Sequence, residues 1–277
     1  MKQTYTLPPC WEDPITAWVG WLRAGGASFE TVRVRRGIIR SMARQLPAPD
    51  RVTTELLVDV VAANKWSNDH RRNTRTTLVG FFDWAMHHGH ASHNPAAGMP
   101  AVPESTPKPR PVTDRIWAEL LEAAPPRERL MARLAGEAGL RRAEVAKVHR
   151  DDLIEDLSGW SLIVHGKGGK QRTVPITDSL ADAIRTHSAG YSPDGFLFPG
   201  QIDGHISPNR VGVLLSRLMP EGWSMHKLRH RYASKGYAGT GNIRAVQEAL
   251  GHASVATTQR YTAVTSREVR AVSEAAA

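Results

Sequence analysis

Five prolines fall between residues 100 and 111: Pro100, Pro103, Pro107, Pro109 and Pro111. Each fixes its own φ and lacks the N–H that a helix or sheet ladder needs, so no regular element crosses this stretch. Polar and basic residues fill the gaps, which makes the segment an extended, exposed connector. Before it lie about 90 residues of helical pattern, and after it about 165 residues of mixed pattern. The expected organisation is a helical domain over 1–97, a linker over 98–112 and a second domain over 113–277.

The first part shows no strand-like alternation and reads as a bundle of about four helices. One runs from about Pro14 to Ala24 and ends at Gly25-Gly26. Ser28 can cap a second that stops before Pro47, and Thr53 or Thr54 can cap a third. Ser67 or Asn68 opens a fourth that ends at Gly89. Arg33, Arg36, Arg40 and Arg44 recur at three- and four-residue spacing on one side of the second helix, with no acid between Arg33 and Arg44. Arg71 and Arg75 repeat the pattern on the fourth, with Arg72 beside them. Like charges on one face repel unless something anionic faces them, so these are candidate phosphate-contacting faces. On charge alone a solvated basic face fits as well.

After the connector, Thr113 can cap a helix carrying Ile116, Trp117, Leu120 and Leu121, and a second helix runs to Gly139. Trp160 to Val164 and Arg172 to Ile176 read as two strands joined by the Gly166-Lys167-Gly168-Gly169 turn. Helical pattern returns over about Ser179–His187, Pro208–Leu218, His226–Tyr237 and Ile243–Leu250. The expected class is mainly α with a small β-hairpin, a helical domain followed by an α+β domain.

Lys and Arg total 36 against 27 Asp and Glu, a net charge of +9. That balance favours a polyanionic partner, nucleic acid before membrane, although composition alone also fits a merely basic soluble protein. No stretch approaches the roughly 18 apolar residues that span a bilayer, and Met1 to Trp11 holds no apolar run of a signal peptide. The single cysteine, Cys10, excludes an internal disulfide and a multi-cysteine zinc site. A reducing cytoplasm is the expected compartment.

Three short motifs carry chemistry. Gly139-Leu140-Arg141-Arg142-Ala143-Glu144 sits where one helix stops and the next begins, with Arg141 at the elbow. His226-Lys227-Leu228-Arg229 opens a helix for which Ser224 is the expected cap. The i, i+3 spacing sets His226 and Arg229 on one face at the end that attracts anions. Gly251-His252 ends a helix, and Tyr261 follows His252 by nine positions. Two guanidinium groups, two imidazoles and a phenol can hold a phosphodiester and attack it. A planar guanidinium fork grips two phosphate oxygens and stays charged at any working pH. Taken singly, each motif has an ordinary reading: a helix-capping Arg, a chance His-x-x-Arg, a core tyrosine. The order and spacing of the set decide the matter.

That ordered set resembles the active-site signature of the tyrosine recombinases, the phage-integrase and Xer-type family. The resemblance covers the part after the linker closely and the helical part only in pattern, as a SAM-like core-binding domain. It implies Arg141, Lys167, His226, Arg229, His252 and Tyr261 as catalytic residues, with Tyr261 the nucleophile and Glu144 orienting them. Lys167 matches the family's hairpin lysine, which protonates the leaving 5′ hydroxyl, and Lys170 is its competitor. The resemblance implies duplex DNA with a specific core site as substrate, no metal and no ATP. It further implies a 3′-phosphotyrosyl intermediate, a Holliday junction, and a homotetramer on DNA docked through the tail from Thr265 to Ala277. Accessory DNA-bending or directionality proteins accompany some members. With Trp11 already near the first helix, no room is expected for the additional N-terminal domain of many phage integrases. An integrase of a phage or mobile element is the expected role. A Xer-like dimer-resolving recombinase, a type IB topoisomerase and a catalytically silent DNA-binding protein are the alternatives.

Overall fold

The computed structural model describes residues 6–104, 110–166, 169–188 and 195–251. The chain divides into two compact units, Met1–Thr106 and Pro107–Ala277.

In the first unit the helices are α1 (Glu12–Ala24), α2 (Phe29–Ala43), α3 (Thr54–Ala63) and α4 (Asn68–His87). The starts of α2, α3 and α4 follow from hydroxyl caps. Ser28, Thr53 and Ser67 each accept the backbone N–H three residues on, from Thr31, Leu56 and His70. Gly89, at φ 74°, turns the chain out of α4. The core is aromatic: Trp11, Trp18, Phe81 and Phe82 are fully buried around Ile39, Met42, Leu57 and Leu78. Trp11 stacks on Phe81 at 5.7 Å and donates its indole N–H to the Pro47 carbonyl at 2.9 Å, so the ring is buried without an orphaned donor. Met99, expected in the linker, belongs to this core.

The second unit is built on α5 (Asp114–Ala123), α6 (Pro126–Glu137), the short α7 (Arg142–Ala146), β1 (Leu153–Asp156), β2 (Gly159–His165) and β3 (Gln171–Pro175). After these come α8 (Asp178–Ser188), β4 (Pro199–Ile202), α9 (Pro208–Arg217), α10 (Met225–Thr240) and α11 (Ile243–Leu250). Among the described residues the sheet is three-stranded and antiparallel in the order β1-β2-β3, with Leu162 opposite Leu153 on one side and Val174 on the other. Leu162, Val164 and Val174 alternate inward, as a half-buried sheet requires. β1 was not expected from the sequence. Its Leu-Ile-Glu-Asp run is too short to show a period, and pairing with β2 supplies what propensity does not.

Helix α6 is the central element. Leu130, Met131, Ala132, Leu134 and Ala135 are all buried, and it packs against α5, α8, α9 and α10. Its end sets the site. The chain leaves through Ala138 and turns at Gly139, φ 68°. A Cβ at Gly139 would lie 2.6 Å from Tyr232 Cδ1, so glycine is needed both for the conformation and for the close approach of α10. Val112, also expected in the linker, is buried here and donates its N–H to the Lys227 carbonyl. Among the described residues no helix is long and apolar enough to cross a membrane.

Candidate active site

The elbow after Gly139 presents Arg141 at the cap position of α7 in extended conformation. Glu144, one turn on, folds its carboxylate back. Oε2 accepts the Arg141 backbone N–H and Oε1 accepts Arg141 Nη1, both at 2.8 Å. A second guanidinium reaches the same carboxylate from β3: Arg172 Nη1 donates to Oε1 at 2.8 Å and Nη2 to Oε2 at 2.9 Å. A third, Arg229 from α10, stands with Nη1 3.8 Å from Oε2, a charge contact rather than a hydrogen bond. Glu144 is thereby the anionic centre of three arginines that are far apart in sequence.

Glu144 is only 4 % exposed. Burial pushes its carboxyl pKa up. The Arg172 hydrogen bonds, the Arg141 N–H, the Arg172 charge and the Arg141 side chain outweigh that and hold it at about 2. It is therefore ionised at any working pH, and both oxygens are fully engaged.

Arg229 is itself buried. Its Nη1 donates to the Gly139 carbonyl and its Nη2 to the Leu250 carbonyl at 2.7 Å. Arg172 Nε donates to the neighbouring Ala249 carbonyl at 3.0 Å. Two arginines thus satisfy carbonyls at the C-terminus of α11, where orphan acceptors and the negative end of the helix dipole favour cations. Arg141 Nη2 reaches towards the Gly251 carbonyl at 3.5 Å. The helix closes at Gly251, φ 62°.

His226 lies in the first turn of α10, with its ring edge-on to His230 at 4.6 Å. Burial, then the charges of Arg229, Arg142 and Arg141, lower the His226 pKa from its ordinary value. Burial, with His226, Arg229 and Lys227, brings His230 to about 4. Both imidazoles are neutral at physiological pH. The expected serine, Ser224, does occupy the cap position of α10, without a side-chain cap bond.

The structure gathers Arg141, Glu144, His226 and Arg229 at one place. Of these, the Arg141 side chain is 44 % exposed and can meet an anion, while Arg229 is buried and gives N–H groups to two backbone carbonyls. Lys167, His252 and Tyr261 lie outside the described residues; Lys170 is exposed beside its turn. In the sequence Arg172 shows only as a strand residue, because no local motif marks a side chain whose partners are 28 and 77 positions away.

The basic faces of the first unit are less uniform than their spacing suggested. Arg33 is paired with Glu30 at 2.6 Å, an acid one turn upstream of the all-basic run. On α4, Arg71 donates to the Asn64 carbonyl, Arg75 to the Met99 carbonyl, and Arg72 approaches Glu104 at 3.6 Å. No ion pair is made by Arg36, Arg40 or Arg44 among the described residues, and Arg36 and Arg44 are exposed. Arg23, Phe29, Arg33, Arg36 and Arg40 line a groove of about 250 Å³.

A model of the Phage integrase family matches residues 112–268. Tyrosine recombinase XerC of Rhodospirillum centenum is 31 % identical over 98 % of this chain and 89 % of its own length. Tyrosine recombinase XerC of Xanthomonas campestris is 34 % identical over 71 % of this chain, which spans 64 % of that relative. Among solved structures, a lambda integrase tetramer bound to a Holliday junction superposes with a TM-score of 0.74 at 17 % identity, over 91 % of this chain and 77 % of that one.

The ionised centre gives a sign-defined expectation. The Glu144 pKa falls from 4.5 to about 2 on folding, so its pairing stabilises fully above pH 4.5 and is lost as pH drops towards 2. Glu144→Gln should cost on the order of 3 kcal/mol at neutral pH. Urea unfolding at a series of pH values should show that gap narrowing below pH 4.5. A gap independent of pH contradicts an ionised Glu144.

Proposed function

We propose that this chain, which belongs to the phage integrase family of tyrosine recombinases, cuts and rejoins duplex DNA at specific core sites through a 3′-phosphotyrosyl intermediate and a Holliday junction. Membership makes it a DNA strand-transferring enzyme. The observation that carries the mechanism is the gathering of Arg141 and Arg229 around ionised Glu144, with His226 in the field of both arginines, beside the Gly251 that precedes His252.

The Tyr261 phenol attacks the scissile phosphorus in line. The P–O bond to the 5′ oxygen breaks, and the 3′ phosphate stays on the tyrosine. Arg141 neutralises the non-bridging oxygens as charge develops there. Arg229 shares that task through guanidinium N–H groups other than those it gives to the carbonyls of Gly139 and Leu250, and those two bonds also hold the pocket together. His226, neutral among arginines, can accept the phenolic proton, and His252 assists at the phosphate. The freed 5′ hydroxyl then attacks the partner strand's phosphotyrosine, regenerating Tyr261.

Two roles fit. One is integration of a phage or mobile element. The other is Xer-like dimer resolution, favoured by the name XerC carried by both relatives. A homotetramer on two sites, docked through the tail from Thr265 to Ala277, suits the tetrameric lambda integrase assembly. Accessory DNA-bending or directionality proteins would set the outcome. Holliday-junction formation on paired sites tests the function. Two direct repeats on one plasmid score resolution, and two separate molecules score integration. Relaxation of supercoils without partner exchange would make the chain a type IB topoisomerase, and binding without cleavage a silent DNA-binding protein.

Lys167 delivers the proton to the leaving 5′ oxygen. Lys167→Ala should slow cleavage by about 10²–10⁴ and retain binding. A bridging 5′-phosphorothiolate, whose sulfur leaves without a proton, should restore it. Rescue of Lys170→Ala instead moves the role to Lys170, and rescue of neither places the acid elsewhere.

Arg33, Arg36, Arg40 and Arg44 contact DNA phosphates from α2, and Arg71, Arg72 and Arg75 do so from α4. An exposed pair such as Arg33–Glu30 holds weakly enough to exchange its carboxylate for a phosphate. Replacing Arg36 and Arg40 together by Ala should reduce the slope of log K against log salt by about one unit for each phosphate no longer neutralised. An unchanged affinity and slope would make this a solvated face.

A further inference from the structure

We infer that Arg172 is a positioning residue of the strand-transfer site, a strut that ties β3, the strand that follows Lys167 in sequence, to both Glu144 and the last turn of α11. The inference rests on the function proposed above.

The geometry is specific to arginine. Both Nη atoms fork onto the two Glu144 oxygens at 2.8 and 2.9 Å, and Nε turns the other way to the Ala249 carbonyl at 3.0 Å. A lysine has one nitrogen and cannot span these acceptors at once. The Arg172 side chain is 14 % exposed, so it is placed to hold protein groups rather than to meet DNA. Its stem runs against Gly251: a Cβ there would lie 2.8 Å from Arg172 Cδ. Gly251 is thus required both by its φ of 62° and by the passage of this side chain.

Two described pieces of the site, the Glu144 carboxylate and the end of α11, meet on this one side chain. Lys167 lies five positions before it in sequence. Arg141 shares its Glu144 oxygen Oε1. His252 follows the helix end that it caps. Removing the fork takes two hydrogen bonds from Glu144 and one from the last turn of α11, and unties β3 from both at once. Misplacement of reacting groups by about 1 Å can cost about 10²-fold in rate, which sets the size of the expected effect.

Glu144 is faced by Arg141 from its own elbow, Arg172 from β3 and Arg229 from α10, with the Tyr232 phenol, its pKa raised by burial, near the last two. Without Arg172 its carboxyl loses the strongest partner that keeps it ionised, so it protonates at higher pH and lets go of Arg141 there.

The test is single-turnover formation of the covalent adduct on a nicked core-site duplex, at saturating protein, across the pH range in which each variant stays folded. Wild type, Arg172→Ala and Arg172→Lys are compared, with DNA affinity measured in parallel. Arg172→Ala should retain affinity, form adduct about 10²-fold more slowly, and show its acid limb at a higher pH than the wild type does. Arg172→Lys, which keeps a charge without the fork, should fall between the two and carries the test if the alanine variant does not fold. A merely structural arginine would change the amount of folded protein and not the pH profile of what remains. Support requires the slower rate and the displaced acid limb together, with affinity intact; any other pattern in a folded variant overturns the strut. A wild-type protein that forms no adduct overturns the proposed function and this inference with it.

Discussion

The second unit depends on one buried negative charge. Glu144 is ionised because three guanidinium groups converge on it, and the guanidinium groups stay together because a carboxylate lies between them. Neither arrangement would survive alone. A buried carboxylate without partners would take up a proton, and clustered arginines without an anion would repel. The mutual requirement joins an elbow after α6, a strand and two helices that are otherwise separate in the chain. It also leaves the cluster with an excess of positive charge, since one carboxylate does not balance three arginines. Burial, and after it the nearby arginine charge, lowers the affinity of His226 for a proton, and the excess positive charge suits the pocket to an anion.

Arginine does two jobs here that the sequence does not distinguish. Arg141 stands half exposed, so it can turn towards a phosphate. Arg172 and Arg229 are more deeply buried and hold the carboxylate and the carbonyls of Gly139, Ala249 and Leu250. The backbone that they hold is the backbone that launches the next segment. Positioning by charged forks rather than by apolar packing fits a site that must admit a charged substrate: the same groups order the protein and keep the local field positive.

Much of this was legible from local chemistry. Ser28, Thr53, Ser67 and Thr113 each announce a helix start, and each makes the side-chain bond that a cap implies. Gly139 and Gly251 announce helix ends and adopt the left-handed conformation that makes glycine useful there. The motifs around Arg141 and His226–Arg229 do converge in space. What was not legible depends on distant partners. β1 exists because β2 offers a ladder, and Arg172 matters because Glu144 and Ala249 come to it. The burial of Arg229 could not be read from a motif that suggests a phosphate ligand. Glu30 lies outside the all-basic run from Arg33 to Arg44, and pairs with Arg33 from one turn ahead.

The central claim is that this charge-clustered elbow serves a tyrosine nucleophile that needs no metal ion. The most direct measurement traps the covalent intermediate on a nicked core-site duplex in excess EDTA, digests the protein, and identifies by mass spectrometry the peptide that carries the nucleotide. The expected result is a 3′-phosphotyrosyl adduct on Tyr261, absent from Tyr261→Phe although that variant still binds the duplex. An adduct on Tyr232 or Tyr237, or cleavage that stops without a divalent metal, would contradict the account.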